Sequence, residues 1–284
     1  MPATAPHRDE LLQRASAARA MLSNCAMCSL ACGADRASGQ HTPCGLSAES
    51  RIFRRYTSFA EELDLIPSSM LYFAGCNFRC AFCVQAPSCF NPRAGEVVSP
   101  ESLAAECVEA ARRGAKTINL LGGEPSLHAH TILEVAAAAW PTKLPLVLNS
   151  NFSMSPAVLQ LFDGVIDIYL ADLKFGNDRC AATIAKAPDY FAYTTRNLLL
   201  ASTQGRVIIR YLVMPGHNDC CLRPIARWIS DFLPDSDFTL MSGYVPAWQT
   251  ARFDRGPLSR VATAQELADA EQIVDLARLR RSAV

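Results

Sequence analysis

The 284-residue sequence has no excess of charge of either sign and no long run of apolar residues. It contains 27 lysine and arginine residues against 27 aspartate and glutamate residues. A balanced charge predicts neither a nucleic-acid surface nor an acidic tail for a cationic partner. No stretch approaches the roughly 20 apolar residues of a membrane helix, and charges within the first 22 residues interrupt any secretory signal. The sequence therefore predicts a cytoplasmic protein without a membrane or nucleic-acid partner.

Internal repeats and low-complexity linkers are also absent from the sequence. Half of the residues are apolar and 19% are charged, which predicts a sizeable core and excludes general disorder. The length suits one large α/β domain with a small additional segment.

Cysteine, by contrast, is abundant, with 12 residues in a chain predicted to stay in a reducing compartment. In such a compartment metal binding is favoured over disulfides. One group, Cys76, Cys80 and Cys83, has C-x3-C-x2-C spacing directly after a short apolar run that predicts a strand. Three thiolates bind soft metals well, and they leave one position of a four-ligand site open for substrate. This group indicates an enzyme rather than a binding module.

From Ser69 onward, apolar runs alternate with helix-like segments. The apolar runs cover residues 69–74, 117–121, 145–149, 165–171, 206–213 and 237–241. The helical segments lie near residues 100–113, 128–139, 155–162, 180–203 and 220–232, with a charged helix over 263–281. Two segments begin with a capping serine and a proline, Ser99-Pro100 and Ser155-Pro156. Strands joined by helical crossovers predict an α/β fold with a parallel sheet and right-handed connections.

Polar residues follow the ends of these six strands. After the cysteine group come Gly122-Gly123-Glu124-Pro125, Asn149-Ser150-Asn151, Asp172-Leu173-Lys174, Arg210 with Met214-Pro215-Gly216-His217, and Met241-Ser242-Gly243-Tyr244. Ligands of parallel α/β proteins bind at the carboxyl ends of the strands. The six ends therefore predict one site on one rim of the sheet.

The cysteine group and the segment Gly122-Gly123-Glu124-Pro125 together resemble the radical S-adenosylmethionine (SAM) superfamily. Phe82 stands at the aromatic position of its C-x3-C-x-aromatic-C motif, and the glycine-rich segment follows at the expected distance. The resemblance implies that Cys76, Cys80 and Cys83 hold three irons of a [4Fe-4S] cluster and that SAM chelates the fourth. It further implies that the reduced cluster cleaves SAM to a 5′-deoxyadenosyl radical, which abstracts a hydrogen atom.

The same resemblance assigns the glycine-rich segment to the methionyl end of SAM. Gly122 and Gly123 would let the backbone approach it, and Glu124 would accept a hydrogen bond from its ammonium, within a motif that ends at Pro125. Any tight turn can also use two glycines, so this segment supports the resemblance only in combination with the cysteine group.

Other strand ends are assigned to the rest of SAM. The backbone near Phe82 would meet the adenine, and Asn149, Asn151 and Arg210 are candidates for ribose and carboxylate contacts. Ordinary capping of strand ends is the alternative for these three polar residues.

Three further stretches carry a closer resemblance, residues 169–178, 209–217 and 240–246. They resemble the branch similar to pyruvate formate-lyase activating enzyme, whose fold is a partial (β/α)6 barrel of the TIM type. In that branch Asp172 would help bind a cation or position SAM, and Lys174 would lie at the rim of the active site. A solvated lysine at a strand end is the alternative for Lys174.

The branch implies the partners of the reaction. They are a low-potential electron donor of the flavodoxin or ferredoxin type and a glycyl radical enzyme that loses hydrogen from a backbone glycine. A radical SAM enzyme for a small molecule or a peptide uses the same rim, so this alternative stays open. The third hypothesis is a metal or electron-transfer protein without catalysis. The segment 122–125 argues against it, because electron transfer needs no SAM-binding rim.

A second group of cysteines has the spacing C-x2-C-x3-C-x11-C and comprises Cys25, Cys28, Cys32 and Cys44. Four thiolates suit structural zinc or a second iron–sulfur cluster, and both remain open here, with the cluster preferred. A zinc ribbon for nucleic acid is disfavoured because lysine and arginine are sparse around it.

The chain divides into four predicted segments. They are an N-terminal helix (1–22), a Cys-rich metal-binding segment (23–66), the partial barrel (67–250) and a C-terminal helical extension (251–284), with a boundary near 50–68. His128 and His130 are predicted to be exposed near a helix start, and Cys220 and Cys221 to pack at another helix start. Cys180 is predicted to be a buried apolar residue.

Overall fold

The computed structural model describes residues 6–283, and one nine-stranded sheet forms its centre. The strands are β1 (Arg51–Ser58), β2 (Ser68–Phe73), β3 (Glu96–Val97), β4 (Thr117–Gly122), β5 (Leu146–Ser150), β6 (Ile168–Asp172), β7 (Arg206–Leu212), β8 (Asp237–Met241) and β9 (Arg280–Arg281). Their order across the sheet is β3-β1-β2-β4-β5-β6-β7-β8-β9. β2 and β4 to β9 are parallel, whereas β1 is antiparallel to β2 and β3. The prediction of an α/β fold with a mostly parallel sheet is confirmed.

Eight α-helices connect or flank the strands in the described chain. They are α1 (Arg8–Ala20), α2 (Pro100–Arg112), α3 (Ala129–Ala139), α4 (Pro156–Leu161), α5 (Asp178–Ala185), α6 (Tyr190–Gln204), α7 (Arg223–Phe232) and α8 (Ala264–Leu276). The side chain of Ser99 caps α2 through the backbone N–H of Ser102, and that of Ser155 caps α4 through Val158. Both predicted helix starts are therefore confirmed.

The predicted helix over 180–203 is wrong in one respect, because the structure contains two helices there. α5 ends at Ala185 and α6 begins at Tyr190. Between them Lys186 and Asp189 have φ angles of +56° and +49°, and Pro188 lacks an N–H for a continuing helix. The break turns the end of α5 toward the cysteine loop after β2.

Both faces of the parallel strands are buried. One face packs against the helices through the main core, which includes Leu148, Tyr169 and Ile209. The other face carries Val147, Leu170 and Ile208, which pack against Leu65 from the connection between β1 and β2. Burial on both faces explains why these strands are apolar without alternation.

The region of the predicted boundary, residues 50–68, contains a strand instead of a break between units. β1 pairs with β2 over most of its length and with β3 at its start. Four consecutive residues of β1, Arg54 to Thr57, are exposed, so the strand lacks the apolar pattern that would predict it. The predicted Cys-rich segment 23–66 therefore contributes one strand to the main sheet.

The predicted outer segments extend beyond the described residues, because 1–5 and 284 lie outside them. Within residues 6–283, α1 packs on α3, and α8 packs against α7 and a short π-helix at Asn218–Leu222. None of the described helices combines the length and apolar character that crossing a membrane requires.

Candidate active site

The carboxyl ends of the parallel strands surround a cavity of about 290 Å³. Eleven residues that the sequence predicts for the site line this cavity: Cys76, Cys80, Phe82, Cys83, Gly122, Gly123, Asn149, Asn151, Asp172, Lys174 and Arg210. Glu124 and Pro125 do not line it. The rim inferred from the strand ends is therefore a real convergence of side chains in space.

The three cysteines lie on an irregular loop, residues 75–83, which we call the triad loop. Its shape is set by hydrogen bonds to the end of α5, because the N–H groups of Arg79 and Ala81 donate to the carbonyls of Ala185 and Ile184 at 2.7 and 2.8 Å. The Arg79 guanidinium also donates to the carbonyls of Cys76 and Phe78 within the loop. The loop is thus held from behind while its cysteines face the cavity.

The cysteine thiols are poorly solvated. Burial, with the neighbouring Cys80 and Glu124, raises the pKa of Cys76 well above its usual value, and burial raises the pKa of Cys80 to about 12. The pKa of Cys83 is held below its usual value by a hydrogen bond from the Cys89 thiol, whose sulfur lies 3.4 Å away. Buried thiols with a raised pKa lose their protons readily only when a metal ion replaces the proton on the sulfur.

The spacing of the three sulfur atoms tests which metal group they suit. Within residues 6–283 the three sulfurs are not all within 4.8 Å of one another, as ligands of a single tetrahedral ion would be. In an iron–sulfur cluster each thiolate binds a different iron, which spreads the sulfurs apart. Three thiolates that face one cavity are a donor set that fits a cluster held by three cysteines.

The two glycines after β4 are required by the approach of the triad loop. The Gly123 N–H donates to the Phe73 carbonyl at 2.7 Å, and the Glu124 N–H donates to the Gly75 carbonyl at 2.9 Å. A Cβ atom at Gly123 would lie 1.8 Å from the Gly75 oxygen, and Gly122 has a φ of +120°. The glycines thus let one backbone pass close to another, while both residues still line the cavity.

The Glu124 carboxylate occupies a different place from the one predicted. It is buried behind the rim and accepts hydrogen bonds from Ser126 (backbone 3.1 Å, hydroxyl 2.6 Å), from the Ser150 hydroxyl (2.7 Å) and from the Asn151 N–H (2.8 Å). Burial raises its pKa, and these donors act in the opposite direction. Glu124 therefore braces the end of β4 against the end of β5, and its predicted contact with the SAM ammonium stays a prediction.

The two predicted asparagines differ in their availability. The Asn151 side chain donates to the Asn77 side chain of the triad loop at 2.8 Å and accepts from the Ser153 N–H at 2.9 Å. The Asn149 side chain lines the cavity and has no hydrogen bond within the described chain. Of the two, Asn149 is the residue with free hydrogen-bonding groups. Asn77, which no sequence signal distinguished, joins the two loops.

Asp172 and Lys174 form an ion pair at the cavity wall. Burial acts to lower the pKa of Lys174, but the Asp172 carboxylate and the nearby Cys80 outweigh burial, so the pKa is raised. The lysine therefore stays charged, and its charge acts on Cys80 and Cys83. Lys174 therefore lies in the wall of the cavity, and its place at the rim of an active site stays a prediction.

Arg210 lines the cavity but is paired within the chain. Its guanidinium donates to Glu62 at 2.8 Å and to Glu61 at 2.6 Å, and Glu62 is fully buried. The Thr239 hydroxyl also donates to Glu62, at 2.9 Å. The acidic partners of Arg210 lie in the connection after β1, and its predicted role in binding SAM stays a prediction. The sequence offered no signal for Glu61 and Glu62.

The remaining predicted residues lie where the strands place them. Phe82 is buried and packs against the rings of Tyr244 and Phe175 at centroid distances of 5.9 and 6.4 Å. Pro125 begins a 3-10 helix, Pro125–His128, behind the rim. The prediction that the backbone near Phe82 meets adenine stays a prediction.

The second cysteine group lies beside the triad loop. Cys25, Cys28 and Cys44 are buried, and Cys32 is exposed. Burial, together with Cys44 and Cys25, raises the pKa of Cys28 to about 11, while a hydrogen bond with Asn77 lowers it. In the described chain no three of the four sulfurs lie within 4.8 Å of one another, so the set lacks the spacing of one tetrahedral zinc ion.

Two histidines predicted to be exposed are buried instead. The His128 ring bonds to the Ser50 hydroxyl and to the Ala74 carbonyl, both at 2.9 Å. The His130 ring bonds to the Ala48 carbonyl at 2.9 Å. The prediction failed because the segment before β1 folds over the start of α3.

The geometry agrees with comparisons to known proteins. A family profile described as the radical SAM superfamily matches residues 70–229. An uncharacterized protein of Methanocaldococcus jannaschii is 31% identical over 264 residues, covering 91% of this chain and 76% of that protein.

Two solved structures share the fold. SuiB of Streptococcus suis, bound to S-adenosylmethionine, superposes with a TM-score of 0.56 at 12% identity, covering 74% of this chain and 48% of SuiB. The chain thus spans about half the length of SuiB. A radical SAM methyltransferase of Sphaerobacter thermophilus has a TM-score of 0.52 at 14% identity, covering 99% of this chain and 95% of that protein. The family match covers more than half of the chain and contains the triad loop and the ends of β4, β5, β6 and β7. The chain therefore belongs to the radical SAM superfamily, whose cofactors are a [4Fe-4S] cluster and S-adenosylmethionine.

Proposed function

We propose that this radical SAM enzyme abstracts a hydrogen atom from a polypeptide segment, in the manner of an activase that acts on a glycine of a partner enzyme. The observation that carries the proposal is the apolar mouth of the cavity. Val84, Met241 and Val245 line the cavity, yet they are 66%, 37% and 53% exposed. Exposed apolar side chains around a buried site are typical of a surface that a protein segment covers.

In this proposal the residues that line the cavity have different roles. Cys76, Cys80 and Cys83 hold the cluster, and Lys174 places a positive charge beside two of these sulfurs. When bound, the cluster and SAM supply a carbon radical that removes hydrogen from an unactivated carbon. Asn149 presents its free amide to the polar part of SAM.

Aromatic residues close the site from water. Phe82 and Tyr244 are both buried, and their rings pack edge to face across the cavity wall. Water exclusion matters because a reactive intermediate is quenched when solvent reaches it.

We propose that the four N-terminal cysteines hold a second [4Fe-4S] cluster that relays electrons from a flavodoxin- or ferredoxin-type donor. Cys32 is exposed at the surface, while the Cys28 thiol contacts Asn77, the neighbour of Cys76. This arrangement supports a path from the surface to the triad loop. Metal analysis of the triple variant Cys76→Ala, Cys80→Ala, Cys83→Ala tests it. Retained iron and sulfide support the second cluster, and zinc without iron contradicts it.

Activation of a partner is tested with reduced protein, SAM and each candidate glycyl radical enzyme under anaerobic conditions. We expect a glycyl radical signal in electron paramagnetic resonance together with release of 5′-deoxyadenosine. Cys80→Ala should abolish both, and Cys107→Ala, which removes a buried cysteine of α2 away from the site, should retain both. Release of 5′-deoxyadenosine without any glycyl radical would contradict an activase.

A peptide-modifying enzyme is the second candidate, and one observation favours it. SuiB, which shares the fold, has also been solved with its precursor peptide SuiA. A mass change in a peptide substrate, without a lasting glycyl radical, distinguishes this function from the activase. A small-molecule substrate gives neither signal. The cytoplasmic location stays a prediction.

A further inference from the structure

A third group of potential metal ligands, two cysteines and one histidine, lies outside the active-site cavity and belongs to neither cysteine group discussed above. Cys180 is on α5, and His217 and Cys220 lie in the turn and π-helix that follow β7. Their ligand atoms all lie within 4.8 Å of one another.

The distances match those of a tetrahedral metal site. The sulfurs of Cys180 and Cys220 are 3.9 Å apart, and the Cys220 sulfur is 3.7 Å from Nδ1 of His217. With metal–sulfur bonds of about 2.3 Å and metal–nitrogen bonds of about 2.0 Å, tetrahedral geometry separates two sulfurs by about 3.8 Å and sulfur from nitrogen by about 3.5 Å. Two of the three separations are therefore close to those of a shared ion, and the third, between the Cys180 sulfur and the His217 ring, is within 4.8 Å.

Asn177 holds the two segments in this arrangement. Its side-chain oxygen accepts from the Cys180 N–H at 2.9 Å, and its amide nitrogen donates to the Cys220 carbonyl at 2.7 Å. The same nitrogen lies 3.4 Å from the Cys180 sulfur. One residue thus fixes both cysteines, and groups around the first ligands usually orient metal sites in this way.

The imidazole of His217 has no competing use. Its Nδ1 contacts the Cys220 sulfur, and its buried Nε2 has no hydrogen-bond partner in the described chain. Neither ring nitrogen is therefore committed to a carbonyl or a carboxylate in the described chain, and Nδ1 is free to ligate a metal.

The fourth coordination position of a metal bound here would face a cavity. Cys180 and His217 line a cavity of about 490 Å³ whose charged residues are all basic: Arg79, Arg179, Lys186 and Arg255. Three protein ligands and a free position are typical of zinc sites that take water or an anion as fourth ligand.

We propose that Cys180, His217 and Cys220 bind one zinc ion, with its fourth position toward this basic cavity. Binding releases the protons of the two thiols and involves no redox step. The ion would join α5 to the turn after β7. Because the end of α5 holds the triad loop through Ile184 and Ala185, the zinc would brace that loop from behind. The proposal is independent of the substrate.

Zinc content of the anaerobically purified holoprotein tests the site. We expect Cys180→Ser and Cys220→Ser to lose about one zinc per chain, with iron and sulfide unchanged, while Cys107→Ser matches the wild type. If the cysteine variants do not fold, His217→Gln provides the same comparison with both thiols in place.

Cobalt titration of zinc-depleted protein gives a second readout. The wild type should gain the thiolate-to-cobalt absorption of a tetrahedral site, and His217→Gln should reduce it relative to Cys107→Ser. Equal zinc content and equal cobalt spectra in all variants overturn the proposal. A disulfide between Cys180 and Cys220 in freshly purified, anaerobic protein overturns it as well.

Discussion

At the scale of single residues, the site depends on charges that the chain itself neutralises. Glu62 is fully buried, and Arg210 is 9% exposed, so each would be strongly destabilising without the other. Burial acts to raise the pKa of Glu62, but the hydrogen bonds and charge of Arg210 outweigh it and lower the pKa. The pair also fixes the connection after β1 against β7 and β8, beside the cavity.

Replacing Glu62 with glutamine should lower the free energy of unfolding by about 3 kcal/mol, because Arg210 then keeps only Glu61 as its ionic partner. Glu109→Gln, which removes the i,i+4 pair of a half-exposed glutamate with Arg113, should cost less than about 0.5 kcal/mol. Thermal unfolding of the cluster-loaded proteins measures the difference. Equal melting temperatures for the two variants would show that the Glu62–Arg210 pair contributes nothing.

The buried His128 makes stability depend on pH. Burial and then the charge of Arg36 lower its pKa to about 3, whereas an unfolded histidine has a pKa of about 6.5. The folded-state pKa is therefore depressed, and the unfolded state binds the proton first as the pH falls. Stability is complete above about pH 6.5 and is lost at up to about 1.4 kcal/mol per pH unit below it.

Melting temperatures of the holoprotein between pH 7.5 and about 5.5 measure this slope. We expect His128→Gln to start from a lower melting temperature and to show a shallower fall. His130, whose pKa is lowered to about 4, and His217, whose pKa burial also lowers, contribute to the remainder. The exposed His41→Gln should keep the wild-type slope. A slope in His128→Gln as steep as in the wild type would assign the acid sensitivity to other groups.

At the scale of elements, the sequence predicts a helix start or a strand correctly where neighbouring residues alone determine it. Ser99 and Ser155 begin helices because capping and the following proline act within one turn. Six of the seven parallel strands were predictable from continuous apolar runs, whereas the two-residue β9 lies within the segment predicted as a helix. β1 was not, since Arg54 to Thr57 are exposed and its pairing with β2 is decided by a distant segment.

The site shows the same division between local and distant information. Parallel strands place their carboxyl ends together, so the residues of the rim could be predicted. Their partners could not, because Glu62 reaches Arg210 across 148 positions and Asn77 reaches Asn151 across 74. The break between α5 and α6 was locally signalled by Pro188, which disfavours helix at the residue before it.

The turn after β4 gives a prediction at this scale. Gly123→Ala would place Cβ against the Gly75 carbonyl, which is backbone and cannot move aside without shifting the triad loop. We expect loss of cluster content of at least half and a melting temperature lower by several degrees, since about 1–3 kcal/mol is typical for overpacking. Gly243→Ala, whose Cβ meets nothing within 4 Å, should keep the cluster.

Iron and sulfide content per chain measure the outcome for both glycine variants. Full cluster content in Gly123→Ala would show that the triad loop tolerates displacement. The close backbone approach would then have another purpose than holding the cysteines in place.

At the scale of the whole molecule, the N-terminal segment is anchored to the rim of the sheet. The Pro43 carbonyl accepts from Arg79 of the triad loop at 2.6 Å, and Leu46 fills the space above Gly75. The backbone of Cys28 forms an isolated antiparallel β-bridge with that of Met154, which follows β5. The segment that carries the second cysteine group therefore contacts the two loops that carry the site, and its folding and that of the site are coupled.

Arg36 also ties the N-terminal segment to the 3-10 helix after β4. It is fully buried, and its guanidinium donates to the Ser47 carbonyl at 3.0 and 2.8 Å and to the Leu127 carbonyl at 3.0 Å. No carboxylate pairs with it in the described chain. Arg36→Met keeps the apolar stem but leaves both carbonyls unsatisfied, at a cost of about 1–3 kcal/mol each.

We therefore expect Arg36→Met to lower the melting temperature and to raise protease sensitivity first within residues 23–50, because the N-terminal segment loses its tie to the 3-10 helix after β4. Arg93→Met is the matched control, since Arg93 is exposed and its side chain makes no hydrogen bond in the described chain. Mapping the first cleavage sites by mass spectrometry separates a local release from a global loss of stability. If Arg36→Met is cleaved throughout the chain at one rate, the segment and the sheet unfold as one unit. If the pattern matches Arg93→Met, the contacts of Pro43, Leu46 and Cys28 hold the segment without Arg36.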